Sequence, residues 1–258
     1  MTQAERRLYL IDYFLKEAGF SMEIPTDEAA QKRLLRALMN VRAPQSVDRA
    51  VLNIQDAYLQ QELRAKGITD IDDLTPIEKD IYLWKGDITT LKCDAIVNAA
   101  NSGMLGCFYP CHDCIDNAIH TFAGIQLRLF LAEVMKKQGY EEPTGRAKLT
   151  EGYNLPCRYI LHTVGPFVRG KLTEKDRHDL ANCYLSCLNL ADQTGIRHLA
   201  FCCLSTGEFH FPNDIAASIA VQTVRKYKKE QQSEIKVIFN VFKEKDYEIY
   251  QGLFGANR

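Results

Sequence analysis

The chain has 258 residues, 46% of them hydrophobic, and a formal net charge of -1 at neutral pH. A chain of this length and composition can bury a substantial core in one large or two small domains. The near-zero net charge argues against a general nucleic-acid binder, because such proteins normally carry a basic face that is visible in their composition.

The cellular compartment is predicted from targeting patterns and from the cysteines. Residues 1–19 interrupt their apolar positions with charges, unlike the apolar region of a signal peptide. The apolar runs are far shorter than the roughly 20 residues that cross a bilayer. The nine cysteines are therefore expected as reduced thiols or metal ligands, because no export signal favours disulfides. We expect a cytoplasmic protein without a membrane partner.

Residues 1–72 predict a helical extension. Three amphipathic patterns occur there: one over residues 8–18, one after Thr26, which fits a cap, and one from Ser46 to Gly67. None of them carries residues that suggest chemistry. A buttress that packs on the rest of the chain is therefore favoured, and a lid or partner-binding element is the alternative.

After the extension, short apolar runs alternate with helical patterns. Runs rich in β-branched and aromatic residues predict buried strands at 81–86, 94–99, 158–165, 198–205 and 235–242. Helical patterns lie between them at 115–138, 175–194 and 213–229. Such alternation implies right-handed crossovers and a largely parallel sheet that is covered on both faces. Ligands of such sheets gather where strands end, so motifs from separate strand ends are expected to share one cleft.

The loop after the second predicted strand concentrates residues that bind zinc. Cys107, His112 and Cys114 supply two thiols and an imidazole within a few residues. Three protein ligands leave the fourth tetrahedral position open, as in catalytic zinc sites. Adding Cys111 would close the site, although the adjacent Cys111 and His112 would both have to turn toward one ion. A turn with free thiols is the remaining alternative.

Three segments carry a resemblance to a known family. GDITTLKCDAIVNAANS (86–102), DNAIH (116–120) and LSTGEFHFP (204–212) are similar to the signature segments of macrodomains, modules that bind ADP-ribose. The likeness covers about residues 75–258. The loop LGCFYPCHDC (105–114) departs from the usual glycine-rich phosphate loop of the family. It resembles the C-x4-H-x-C signature of zinc-containing macrodomains of certain bacteria and fungi, which remove ADP-ribose from proteins.

The resemblance implies an α/β fold. We expect a three-layer α/β/α sandwich with a mixed, largely parallel sheet over residues 73–258, preceded by the helical extension.

The resemblance also implies a binding site for ADP-ribose. The carboxylate of Asp87 would accept a hydrogen bond from the adenine amine, Asn101 would bind ribose hydroxyls, and Phe242 would stack on the nucleoside. Backbone N–H groups after the fourth strand would bind the diphosphate. On chemistry alone, Asp87 would be a local cap and Phe242 a core aromatic. The residues assigned to substrate binding are Asp87, Ile88, Asn101, Ser205, Thr206, Gly207, Glu208, Phe209 and Phe242.

Asp116 and Asn117 are the candidate catalytic residues, because they open the helix that follows the cysteine-rich loop. By resemblance, Asp116 would orient water or a ribose hydroxyl. Acids in a first helical turn are also common partners of the helix dipole, which is the alternative. His120 lies one turn further on and is expected to be a core histidine with satisfied hydrogen bonds.

The implied function is a zinc-dependent hydrolase that removes ADP-ribose from mono-ADP-ribosylated proteins, with Asp or Glu esters as the linkage. One Zn²⁺ per chain would either activate water or polarise a ribose hydroxyl. Relatives with this loop are often associated with a sirtuin-type transferase and a lipoyl-carrier protein, so a modified lipoyl carrier is the expected partner. The alternatives are a module that binds ADP-ribose without cleaving it and has a structural zinc, and an interaction protein whose zinc only fastens a loop.

Overall fold

The computed structural model describes residues 1–255, so positions 256–258 of the predicted main domain lie outside the described residues. In the described range the helices are α1 (Gln3–Ala18), α2 (Glu28–Val41), α3 (Arg49–Lys66), α4 (Ile115–Ala123), α5 (Ile125–Gln138), α6 (Glu174–Gln193), α7 (Asn213–Gln231) and α8 (Glu244–Gly255). The strands are β1 (Thr69–Asp70), β2 (Ile81–Lys85), β3 (Leu91–Lys92), β4 (Ala95–Ala100), β5 (Ala147–Glu151), β6 (Tyr159–Val164), β7 (His198–Phe201) and β8 (Lys236–Val241).

The main sheet has the order β2-β8-β7-β4-β6-β5. All neighbouring strands are parallel except β5, which runs antiparallel to β6. Strands β1 and β3 form a separate parallel pair. Five of these strands correspond to the predicted apolar runs, and the predicted mixed, largely parallel sheet with helices on both faces is confirmed.

Burial on both faces explains why most of these strands were recognisable in the sequence. The last five residues of β6 and of β8 are buried without a break, because helices cover the sheet on either side. Strand β5 was missed because it is an edge strand in which only Thr150 is buried. The prediction also missed α8, which packs against β2 and β8 through buried Tyr250 and Phe254.

The helical extension has its own apolar core. Leu10, Phe14, Leu35 and Tyr58 belong to a cluster that is separate from the core under the sheet, and Ile125 of α5 joins it from the main domain. Burying side chains of this kind stabilises the fold by about 1.5–3 kcal/mol each. The extension is therefore packed on the main domain and shares one apolar side chain with it.

The predicted cap and boundary of the extension differ in detail from the structure. Helix α2 is capped by Asp27, whose Oδ1 accepts a hydrogen bond from Ala30 N (2.8 Å), and not by Thr26. A carboxylate at this position also interacts favourably with the positive end of the helix dipole. Helix α3 ends at Gly67 as expected, with a φ of 88°. The division at residue 72 stays a prediction, and Ile71 already packs in the core under the sheet.

The prediction of one helix over residues 115–138 is wrong. The chain bends by 108° between α4 and α5, at Gly124, whose φ is 101°. A Cβ atom there would lie 2.6 Å from Gln126 Oε1 and 2.7 Å from Gln55 Nε2, so only glycine fits. Gln55 Oε1 accepts a hydrogen bond from Ile125 N (3.0 Å), one of the unpaired donors at the start of α5.

Within residues 1–255, no single helix is long and apolar enough to cross a membrane, and only the bent pair of α4 and α5 passes that test by combined length and composition.

Replacing Gly124 by alanine should lower the free energy of unfolding by about 1–3 kcal/mol, because the new methyl group meets two side chains and the backbone conformation disfavours an L residue. Urea denaturation measures the change. Gly252→Ala in α8 is the control: it meets open space and is expected to be neutral or slightly stabilising. Equal stability of Gly124→Ala and the unsubstituted protein would contradict the steric argument.

Candidate functional site

The predicted binding segments follow four strands that are neighbours in the sheet. The segment at Asp87 follows β2, Phe242 follows β8, the 205–209 loop follows β7 and Asn101 follows β4. These strands are consecutive and parallel, so their carboxyl ends lie side by side. The topology therefore brings the motifs to one edge of the sheet, as expected from the sequence.

At one end of this edge, Asp87 caps a short 3₁₀ turn. Its Oδ1 accepts hydrogen bonds from Thr89 N (2.9 Å) and Thr89 Oγ1 (2.6 Å), while Oδ2 lies 3.4 Å from Lys66 Nζ. Ile88 is buried, so its side chain is not available to a ligand. The ring of Phe242 is 75% exposed and is not a core aromatic. Asp87 is thus a local cap whose Oδ2 has only one long contact. Its predicted hydrogen bond to the adenine amine stays a prediction.

The 205–209 loop is held in a strained, compact shape. Ser205 is buried with a φ of 63°, and the loop is closed by hydrogen bonds from Phe211 N to Ser205 O and from His210 N to Gly207 O, both 3.0 Å. A Cβ atom on Gly165, directly after β6, would lie 1.9 Å from Ser205 Oγ, so the close approach of this loop requires glycine there. Gly207 faces open space. The loop therefore has room above it for a ligand, which fits the predicted diphosphate site.

Beside this loop, the two thiols and the imidazole converge. The ligand atoms of Cys107, His112 and Cys114 all lie within 4.8 Å of one another, and Cys107 Sγ is 3.6 Å from His112 Nδ1. Zinc bonds of about 2.3 Å to sulfur and about 2.0–2.1 Å to nitrogen, at a tetrahedral angle, give nearly the same separation. The donor set therefore fits a zinc ion with Nδ1 of His112 as the nitrogen ligand. We call these three residues the Cys/His cluster.

Cys111 does not belong to the Cys/His cluster. Its thiol donates to Arg33 O (3.3 Å) on α2, and its backbone adopts a φ of 53°. This conformation turns Cys111 and His112 to different sides of the loop. The geometry therefore matches the three-ligand arrangement predicted from the sequence and not the four-ligand alternative.

The Cys/His cluster and the 205–209 loop touch each other. His112 Nε2 lies 3.6 Å from Glu208 Oε1, on the side of the ring away from Cys107. A carboxylate behind a ligating histidine fixes the orientation of its ring and raises its basicity. Glu208 is 67% exposed at its side chain, so it is within reach of solvent and ligands as well.

Burial raises the pKa of the Cys114 thiol to about 12. Without a cation nearby, this thiol stays protonated at neutral pH. The thiol also sits at the start of α4, where its sulfur accepts a hydrogen bond from Asn117 N (3.4 Å). The helix N-terminus and a bound cation both favour the thiolate.

The chain is similar to several known proteins. The Macro domain family model matches residues 97–220. The chain is 57% identical to a protein-ADP-ribose hydrolase of Treponema medium over a 259-residue alignment that covers 98% of this chain and 99% of the relative. The chain belongs to the macrodomain family.

Two further similarities extend over most of this macrodomain chain. A protein-ADP-ribose hydrolase of Staphylococcus aureus (strain MRSA252) is 56% identical over 253 residues, which cover 96% of this chain and 95% of the relative. The crystal structure of a Trypanosoma brucei macrodomain in complex with ADP-ribose has a TM-score of 0.64 and 32% sequence identity, covering 84% of this chain and 94% of the other.

In this macrodomain, Asp116 is buried behind the strand end. Its two oxygens accept hydrogen bonds from Asn98 Nδ2 (2.8 Å) and Asn101 Nδ2 (3.3 Å), and Asn101 Nδ2 also reaches Gly106 O (3.1 Å). Burial raises the pKa of Asp116 to about 6. The carboxylate therefore orients Asn101 from within, and its catalytic role stays a prediction.

Asn117 is fully buried, and protein groups occupy both ends of its amide. Its Oδ1 accepts hydrogen bonds from Arg36, and its Nδ2 donates to Tyr109 O (3.0 Å) and Cys107 O (3.4 Å). Contact with a substrate would require these bonds to break. In the structure Asn117 thus holds the loop in position, and its catalytic role stays a prediction.

The two histidines under the site differ in their partners. His162 Nδ1 accepts from Asn98 Nδ2 (3.1 Å), so its Nε2 carries the proton and donates to Thr150 Oγ1 (2.9 Å). His120 is buried as predicted, but neither of its ring nitrogens has a hydrogen-bond partner, so the prediction of a satisfied histidine is wrong. Its ring packs against Gly106, where a Cβ atom would come within 2.6 Å.

The sequence reasoning missed the contribution of α2 to this site. Arg33, Arg36 and Asn40 follow the i, i+3, i+7 spacing of one helical face, and all three contact the segment from residue 111 to 117. This polar stripe was a usable signal of an interface. Its partner could not be read from the sequence, because the contacts join residues more than 70 positions apart.

The stability of the protein should depend on pH through His162. Burial lowers the pKa of His162 from 6.5 to about 3, so the unfolded chain binds more protons between these values. The stabilisation from the neutral ring is complete above pH 6.5 and is lost as the pH falls toward 3. Between pH 6.5 and about pH 4.5 this group should lower the free energy of unfolding by about 2 kcal/mol.

His162→Gln should lack this component, so its stability deficit relative to the unsubstituted protein should shrink as the pH falls. Urea denaturation of metal-free protein at several pH values measures the difference. His178→Gln, at an exposed position on α6, is the control. Parallel pH profiles for His162→Gln and the unsubstituted protein would refute the assignment.

Proposed function

We propose that this macrodomain is a zinc-dependent protein-ADP-ribose hydrolase that releases ADP-ribose from aspartate or glutamate esters of modified proteins. The high identity to two relatives that carry the name protein-ADP-ribose hydrolase supports the reaction class. Zinc, the ester linkage and the modified protein are the parts that rest on this chain's own residues and on the family resemblance.

The observation that carries the proposal is the contact between the Cys/His cluster and the 205–209 loop. Two thiols and an imidazole lie within 4.8 Å of one another, and Glu208 of the loop approaches His112 to 3.6 Å. A ligand whose diphosphate lies on that loop would have its distal ribose next to the cluster. In this arrangement the donor atoms would adjoin the sugar carbon at which the reaction takes place.

Different residues bind three parts of the ligand. In the proposal the adenine lies between Asp87 and the exposed ring of Phe242, with the backbone of Ile88 beside it. The diphosphate lies on residues 205–209, where Gly207 leaves open space. Asn101, which Asp116 orients, binds a hydroxyl of the distal ribose. Each part uses a different strand end, so the sheet itself sets the spacing.

The reaction breaks the bond between the anomeric carbon of the ribose and the carboxylate oxygen of the modified side chain. Water supplies the new oxygen, one proton passes to solvent, and ADP-ribose and the free carboxylate leave. Cys107, His112 and Cys114 would hold the zinc, which supplies Lewis acidity toward a sugar hydroxyl or water. The chain's own contribution is to fix the sugar through Asn101 and to keep the site ordered through Asp116 and Asn117.

The carrier of the modification is proposed from the family resemblance alone. A lipoyl-carrier protein modified by a sirtuin-type transferase is the first candidate to assay. Carriers that bear ADP-ribose on carboxylates should be substrates, whereas the same carriers modified through arginine or serine should not.

Zinc content and release of ADP-ribose should be lost together. Protein purified without chelators should carry about one zinc per chain, and His112→Ala or Cys114→Ala should remove both the metal and the release from an ester-modified carrier. Metal analysis and chromatography of released ADP-ribose measure the two quantities. Cys111→Ser is the matched control, because its thiol lies in the same loop and faces α2; it should keep both.

Two results would contradict the proposal in different ways. Binding of ADP-ribose without release from any carrier would leave the alternative of a non-catalytic module with a structural zinc. Release that persists in metal-free protein would remove zinc from the reaction while keeping the hydrolase.

Phe242→Ala should weaken ADP-ribose binding by about 10-fold, because stacking of a base on an aromatic ring contributes about 1–3 kcal/mol. The side chain is 75% exposed, so the stability of the protein should change little. Calorimetric titration with ADP-ribose measures the affinity. Phe20→Ala, an exposed aromatic between α1 and α2, is the control and should bind as the unsubstituted protein does. Unchanged affinity of Phe242→Ala would remove this residue from the site.

A further inference from the structure

Arg36 of the helical extension reaches the segments that carry the Cys/His cluster. Its Nη2 donates to His112 O (2.9 Å), and its Nε and Nη2 donate to Asn117 Oδ1 (3.2 and 2.8 Å). Asn117 in turn donates to Cys107 O and, through its backbone N–H, to Cys114 Sγ. The Arg36 guanidinium therefore contacts the backbone of His112 directly and that of Cys107 through the side-chain amide of Asn117, and the main chain of the same Asn117 contacts the Cys114 sulfur.

Asn40, one turn further along α2, holds the middle of the loop. Its Oδ1 accepts a hydrogen bond from Cys111 N (2.9 Å), and its Nδ2 donates to Thr121 Oγ1 on α4 (2.9 Å). Cys111 has a left-handed backbone, which costs a non-glycine residue of order 1–2 kcal/mol. The bond from Asn40 and the thiol contact with Arg33 O offset this cost and keep His112 turned toward Cys107.

Arg128 of α5 fixes the end of α2 against the start of the loop. Its Nη1 donates to Met39 O, Asn40 O and Arg42 O, at 3.2, 2.8 and 2.7 Å, and its Nε donates to Leu105 O (2.7 Å). These carbonyls lie at the C-terminus of a helix, where they have no partners within the helix. The position of Asn40 relative to the loop is therefore set by the main domain and not by the extension alone.

We infer that α2 is the element that holds the Cys/His loop in a ligand-ready conformation, with Arg36 and Asn40 as positioning residues for a bound zinc ion. Three donors on a loop without regular secondary structure would otherwise have to be ordered by the metal itself, at a cost in affinity. Partners behind metal ligands commonly change metal affinity by 10–100-fold when they are removed. The part that concerns zinc rests on the proposed function; the part that concerns the loop does not.

The test measures zinc affinity by competition with a chromophoric chelator. Arg36→Gln should weaken zinc binding by about 10–100-fold, and Asn40→Ala by a similar factor. Arg36→Lys should recover part of the loss, because an ammonium keeps the charge and one donor but cannot bridge His112 O and Asn117 together.

Two control variants on the same helix separate positioning from general destabilisation. Arg33→Gln removes the same charge, but its contact to Cys111 is through the backbone and persists. Arg42→Gln breaks the buried ion pair with Glu17 and so loosens the extension without touching the loop. Both should bind zinc as tightly as the unsubstituted protein. Equal weakening in Arg42→Gln, or no weakening in Arg36→Gln, would overturn the inference.

Amide hydrogen exchange of metal-free protein provides the second measurement. Arg36→Gln should accelerate exchange over residues 107–114, whereas Arg33→Gln should not. If the unsubstituted protein binds no zinc, the proposed function fails and this measurement still decides whether α2 holds the loop. Unchanged exchange in Arg36→Gln would refute it.

Discussion

The buried first turn of α4 is the constraint on which the site depends. Asp116 and Asn117 have almost no access to water, so their polar atoms need partners inside the protein. Asp116 finds them on β4 and directly after it, and Asn117 finds them on the cysteine-rich loop and on α2. An unpaired buried group would cost about 1–3 kcal/mol, so these bonds fix the strand, the loop and the extension around one helix end. The Cys/His cluster is assembled where these three parts meet.

The interior below the strand ends contains several buried polar groups. Burial lowers the pKa of His120 and of His162 and raises that of Asp116, so each of these groups is shifted toward its neutral form. Asn98 Oδ1, Ser205 Oγ and both ring nitrogens of His120 have no hydrogen-bond partner among the described residues of the protein, although His120 Nε2 lies 3.6 Å from Asp116 Oδ1. Unsatisfied groups of this kind are rare in proteins and concentrate at functional sites. The free energy that these unpaired groups cost is offset by burial of the apolar core on either side of the sheet.

Features that depend on residues close together in the sequence were predictable, and features that depend on residues far apart in the sequence were not. Buried strands such as β6 and β8 are continuous apolar runs, and the spacing of Cys107, His112 and Cys114 lies within one loop, so both were predictable. The bend at Gly124 was hidden, because an apolar helical pattern continues through it. The role of Arg36 was hidden for another reason: its partners lie 76 and 81 positions away, and nothing local indicates them. The edge strand β5 lacks a buried face and gave no pattern.

Ile125 has a further consequence for how the protein folds. This side chain begins α5 in the main domain, yet it packs with Leu10 and Phe14 in the core of the extension. The core of the extension is incomplete without this residue of the main domain, and the Arg128 bonds to the end of α2 cross the same boundary. The two parts should therefore unfold in one cooperative transition. A chain shortened to the main domain would expose apolar surface and leave the Arg128 donors without partners, so it should not be a smaller stable domain.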